Sequence, residues 1–133
     1  MSKTNPLSLL KTYFKSFAEK DIDELKNLFS DDIELIDWNN TYKGKDKVLN
    51  EVEGIFSSFT IIQLYVINIF SELDIVHDDD SETDITIPKN NSYACQIEII
   101  FDDTSPLHIM DLIEFDDDFK IKKINAYNRN FGK

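Results

Sequence analysis

The stretch "YFKSFAEKDIDELKNLFSDDIELID", residues 13–37, changes its hydrophobic period partway along, and that change decides the fold. Its first part continues a stripe of Leu7, Leu10, Phe14 and Phe17, with Tyr13 beside it. Steps of three and four place these residues on one side of an amphipathic helix over 7–19. Asp21 followed by Glu24 then has the form of a capping box, in which each residue satisfies an orphan amide of the helix start. It opens a short second helix with Ile22, Leu25, Leu28 and Phe29 as its apolar positions. Past residue 32 the period falls to two: "DIELID" (32–37) sets Ile33, Leu35 and Asp37 on one face of a strand.

Outward from this stretch, "NNTYKG" (39–44) is turn and loop chemistry, and Leu49, Val52, Phe56 and Phe59 predict a third helix over 45–59. Beyond it the chain turns to Ile, Val, Phe and Tyr, with strands expected at 60–72, 92–102, 107–116 and 120–129. Pro88, Asn90 and Asn91 mark a loop between the first two, in "HDDDSETDITIPKNN" (77–91). The links "DDTSP" and "DDDF" are short enough for hairpins. Three helices followed by a strand meander make an α+β fold, in which a long sheet curls around its apolar face. With 133 residues, 41% hydrophobic content and no linker, a single domain over 1–133 is expected.

Composition narrows the partners. A formal charge of -12 without a basic stripe repels phosphate backbones and anionic headgroups, so neither nucleic acid nor a membrane is an expected partner. The longest apolar run, "IIQLYVINIF", is broken by Gln63 and Asn68 and falls short of the roughly 20 residues of a membrane span. The start "MSKTNPLSLL" has no secretory pattern, which makes a cytoplasmic location the expectation. Cys95 alone builds neither a disulfide nor a cysteine zinc site within one chain. His77 and His108 form no helical metal pair, and the acidic run from Asp78 lacks the turn glycine of a calcium loop. No metal is expected.

One residue in the strands stands against its neighbours. In "HIMDLIEF" (108–115) the strand period puts Leu107, Ile109, Asp111, Ile113 and Phe115 on one face, opposite His108, Met110, Leu112 and Glu114. An ionised carboxylate on so apolar a face must find hydrogen bonds or take up a proton. The next strand's apolar face is Tyr93, Cys95, Ile97, Ile99 and Phe101.

The stretch 13–37, with "YKGKDKVLNEV" and the closing "DLIEFDDDFKIKKINAY", resembles the nuclear transport factor 2-like superfamily, which includes SnoaL-like cyclases and ketosteroid isomerases. The resemblance implies a cone-shaped roll: a curved, mostly antiparallel sheet wrapped by three N-terminal helices. It also implies a homodimer formed through the sheet. Its chemistry is most similar to that of ketosteroid isomerase, whose tyrosine falls on Tyr13, base on Asp37 and proton-donating aspartate on Asp111. The activity so implied is a cofactor-independent proton shift on a small hydrophobic carbonyl compound. Asp37 would be the base, and Tyr13 with a protonated Asp111 would form an oxyanion hole. Trp38, Tyr42, Phe17, Ile109 and Ile113 are the candidate pocket lining. The sequence departs from the isomerases after the base, where "DWNNTYKG" replaces a Pro-Val-Gly loop, and in the acidic insertion 77–91. An epoxide hydrolase Asp-Arg-Asp set is absent, since Gln96, Glu98 and Ala126 stand at those places.

Each candidate also has a plainer reading. Tyr13 fits a core aromatic, Asp37 a turn cap, and Asp111 a buried acid bonded to a tyrosine or a backbone amide. Two functions of different class therefore stand side by side: the isomerase or cyclase-like enzyme, and a non-catalytic ligand-binding or protein-interaction domain.

Overall fold

In the computed structural model, which describes residues 5–71 and 91–129, three helices pack on a six-stranded sheet. The first helix, α1 (Pro6–Ala18), starts where the Asn5 side chain accepts from the Leu7 amide at 2.8 Å, with proline at a position whose amide would be unpaired anyway. The second, α2 (Ile22–Leu28), carries half of the expected capping box: the Asp21 carboxylate accepts from the Glu24 amide at 3.1 Å, while the Asp21 amide donates to the Ser16 carbonyl at 2.8 Å instead of to Glu24. It ends one residue earlier than expected. Phe29 is extended and opens strand β1 (Phe29–Ile36), because it pairs with Ile121 of the last strand.

A three-residue strand, β2 (Thr41–Lys43), lies where loop chemistry was expected; it is too short to show a period and forms by pairing with β1. Gly44 (φ 95°) then turns the chain into α3 (Lys45–Ser58), its amide donating to the Ile33 carbonyl at 2.8 Å. A backbone with positive φ favours glycine. Four long strands complete the sheet: β3 (Ile62–Ser71), β4 (Ser92–Phe101), β5 (Leu107–Phe115) and β6 (Ile121–Asn128). The acidic segment read as a loop lies, through residue 90, outside the described residues.

The sheet order is β2-β1-β6-β5-β4-β3, antiparallel except for the parallel pair β1–β6. The sheet is mixed and open, and the parallel pair is where the meander closes back on the N-terminal unit. Register shifts at Val66/Asn68 and Glu114/Phe115 add local twist, which helps a sheet curve around one face. Leu10, Leu25, Phe29, Ile33, Ile113, Phe115 and Ile121 are fully enclosed on that face. Each such side chain contributes about 1.5–3 kcal/mol by leaving water. Among the described residues no helix is long and apolar enough to cross a membrane.

Candidate functional site

Between the helices and the inner face of the sheet lies a cavity of about 270 Å³ with almost entirely apolar walls. That is slightly below the roughly 300 Å³ at which drug-sized pockets begin, so it suits a small occupant. Tyr13 and Phe17 of α1 line it, as do Asp37 and Trp38 after β1, and Ile109 and Asp111 of β5. Of the expected lining residues, Tyr42 and Ile113 are not part of this wall. Ile113 is fully enclosed and belongs to the packed core; it is two residues further along the strand than Asp111. Tyr42 stands in β2 opposite Leu35, next to Asn40 and Glu51.

The deep end of the cavity is polar at two points. Asp111 keeps 6% of its surface accessible and Tyr13 7%. Strand register explains why Asp111 has no partner among the described residues: its neighbours across the sheet are Cys95 on β4 and Ala126 on β6, neither with a side chain that supplies an ordinary hydrogen bond. Among the described residues neither the Asp111 carboxyl nor the Tyr13 hydroxyl makes a side-chain hydrogen bond, and the two are close enough to sense each other's charge. Burial of the carboxyl raises its pKa from 3.8 to about 7. Burial first, then Asp111 and Cys95, hold the Tyr13 phenol well above its usual 10.0. The Cys95 thiol is pushed up to about 12, chiefly by burial and secondarily by Asp111, which makes it an inert core thiol at neutral pH.

The rim is built differently. Asp37 follows the last residue of β1, in a tight turn where its own amide donates to the Asn40 carbonyl at 3.0 Å. Its Oδ1 accepts from the amides of Asn39 (2.7 Å) and Asn40 (2.8 Å). This is the turn-capping role expected of an aspartate there, and it leaves Oδ2 uncommitted. Asp37, Trp38 and Glu51 are half-buried and Asn39 is exposed, while all four line the cavity, so they form its opening. Tyr42 is a neighbour of both acids: its phenol is raised first by desolvation, then by the adjacent Glu51, with a smaller contribution from Asp37.

Glu51 was not among the expected site residues. The α3 positions that reach the cavity are Val48, Glu51, Val52 and Ile55, a face turned slightly from the Leu49, Val52, Phe56, Phe59 stripe. Its carboxylate lies one step off the apolar period, and that step was the available signal. Ala126 was also unassigned; its small side chain leaves space opposite Asp111. Among the described residues no group of three or more potential metal-binding side chains converges.

No family model matches the sequence, and no curated protein matches it significantly. Solved structures do. A steroid delta-isomerase from Pseudomonas aeruginosa is similar over 97% of this chain and 82% of its own, with TM-score 0.69 and 17% identity. An NTF2-like protein of unknown function from Cytophaga hutchinsonii matches over 96% and 92%, with TM-score 0.70 and 9% identity. Nuclear transport factor 2 from Cryptosporidium parvum matches over 93% and 91%, with TM-score 0.69 and 12% identity. At such identities the shared property is the backbone arrangement, which hosts unrelated functions. Three N-terminal helices against a curved, open, mixed sheet, matched over nearly the whole chain, give this protein the nuclear transport factor 2-like fold.

Proposed function

We propose that the protein is a cofactor-independent isomerase or cyclase-like enzyme that moves a proton on a small hydrophobic carbonyl compound. The observation that carries this reading is a pair of buried, unpartnered polar groups, Tyr13 and Asp111, on the wall of an apolar cavity that Asp37 also lines. Buried polar groups without partners cost about 1–3 kcal/mol each, and a site that tolerates two of them side by side suits a ligand oxygen.

In this mechanism the substrate carbonyl oxygen enters between the Tyr13 hydroxyl and the protonated Asp111 carboxyl. Asp37 removes a proton from the carbon beside the carbonyl; the C–H electron pair forms a carbon–carbon double bond and the carbonyl pair moves onto oxygen. Both donors hold the resulting enolate, whose charge is stabilised more strongly in a low-dielectric site than in water. Asp37 then returns the proton to another carbon, and no oxidant or reductant is consumed. The pKa near 7 supports the donor role, because it leaves a large share of Asp111 protonated at neutral pH.

Turnover of a small β,γ-unsaturated ketone tests the assignment. Asp37→Asn keeps an oxygen for the two turn amides and removes the base, so turnover falls about a hundredfold or more. Unchanged turnover refutes the assignment of the base.

The double amide contact to Asp37 Oδ1 favours the second reading, in which that residue only shapes a turn and the cavity binds a ligand without converting it. Saturable binding of the ketone with no exchange of its α-protons into heavy water selects that reading.

We also propose that the chain forms a homodimer through the outer face of the sheet, where Tyr65, Phe70, Leu112 and Tyr127 are exposed. Sedimentation of Leu112→Lys and Tyr127→Lys variants tests it: wild-type dimer and variant monomer are expected, and a wild-type monomer refutes it.

A further inference from the structure

Among the described residues the cavity wall contains Asp37, Glu51 and Asp111 and not one Lys, Arg or His. Two of these acids, Asp37 and Glu51, sit at the opening, half-exposed to water. They share Tyr42 as a neighbour, which places them on the same side of the opening. The third, Asp111, is nine-tenths buried, unpartnered and on the wall of the same cavity, so the site is arranged for a ligand independently of its acidic rim.

We propose that the site selects its ligand by charge: it takes an apolar molecule bearing a protonated amine at the end that remains at the opening, and it rejects carboxylates and phosphates. An anion entering the cavity meets carboxylates with no cation among the described lining residues to offset them, in surroundings of lower dielectric than water. A cation held at the rim interacts with Glu51 and with the uncommitted oxygen of Asp37 while its apolar body fills the chamber. The overall charge of -12 adds a long-range field of the same sign, which concentrates cations near the surface and weakens with salt. This inference rests on the cavity being a ligand site, which both readings above share, and not on proton transfer.

Three probes with one ring system isolate the charge: 2-naphthylmethylamine, 2-naphthylmethanol and 2-naphthoate, titrated calorimetrically into the intact protein at low and at high salt. The amine is expected to bind about tenfold tighter than the alcohol at low salt, and naphthoate most weakly. Raising the salt narrows the gap. Glu51→Gln reduces the amine's advantage, and Glu51→Lys moves the preference toward naphthoate. Because Glu51 is a half-exposed helix residue, both variants are expected to keep the fold. The proposal is overturned if the amine binds no tighter than the alcohol, if naphthoate binds as well as the amine, or if neither variant changes the order. Binding of the alcohol in any of these cases leaves the ligand-site reading standing; absence of all binding removes that reading as well.

Discussion

Asp111 and Asp37 are the same residue type on the wall of one cavity, yet their surroundings are opposite. Asp111 lies between Cys95 and Ala126, without a side-chain hydrogen bond among the described residues, and burial lifts it to about 7. Asp37 is half-open to water and receives two backbone amides on one oxygen. The first environment favours a neutral acid that can donate, whereas the second fixes one carboxylate oxygen on backbone amides. The proposed proton transfer needs one acid that donates and one that accepts, and these two differ by position, one at the middle of a strand and one just past a strand end.

The largest test of that contrast is thermodynamic. Between pH 3.8 and about 7 the unfolded chain releases the Asp111 proton while the folded chain holds it, so stability is lost as pH rises through this window, and the loss is complete above 7. Comparison with Asp111→Asn cancels the other carboxylates. Denaturant titrations should find the wild type losing up to about 4 kcal/mol relative to the variant between pH 4 and pH 8. A constant difference would break the contrast.

Catalysis reads the same proton. If Asp111 donates to the enolate, turnover should fall by about tenfold per pH unit above 7, that is about 1.4 kcal/mol per unit, and this limb should be missing in Asp111→Asn. Smaller effects test the rim. Asp37→Ala loses both turn amides and should cost about 1 kcal/mol in thermal unfolding, whereas Asp37→Asn should cost only a few tenths. Smallest of all, Tyr13→Phe removes a hydroxyl with no side-chain hydrogen bond among the described residues, so stability should change by less than about 1 kcal/mol. Turnover should still drop in that variant, because the substrate oxygen loses a donor.

Much of the site was legible before the fold was known, because strand alternation is local. Asp111 falls on the face of Ile109, Ile113 and Phe115 whatever the strand pairs with, and those residues are all buried. Asp21 and Glu24 announced the start of α2 for the same reason: a cap and its amide are three residues apart. Phe29 was harder. Its apolar side chain satisfies a helix stripe and a core strand equally, and only pairing with Ile121, far along the chain, decides between them. Glu51 was only faintly legible: it shares helical spacing with Val48, Val52 and Ile55, but a glutamate beside an apolar stripe looks solvated until α3 is rotated against the sheet.

What the sequence determined by itself is periodicity and capping: three helices, long strands, and an acid on an apolar face, all set by steric and solvation preferences acting within a few residues. Tertiary structure decided which strands are neighbours, which residues meet at the cavity, and that Asp111 faces Cys95 and Ala126 with no side-chain hydrogen bond. The reason is physical: burial and loss of solvent depend on groups brought in from distant parts of the chain, and they shift a carboxyl group by more than any local pattern does.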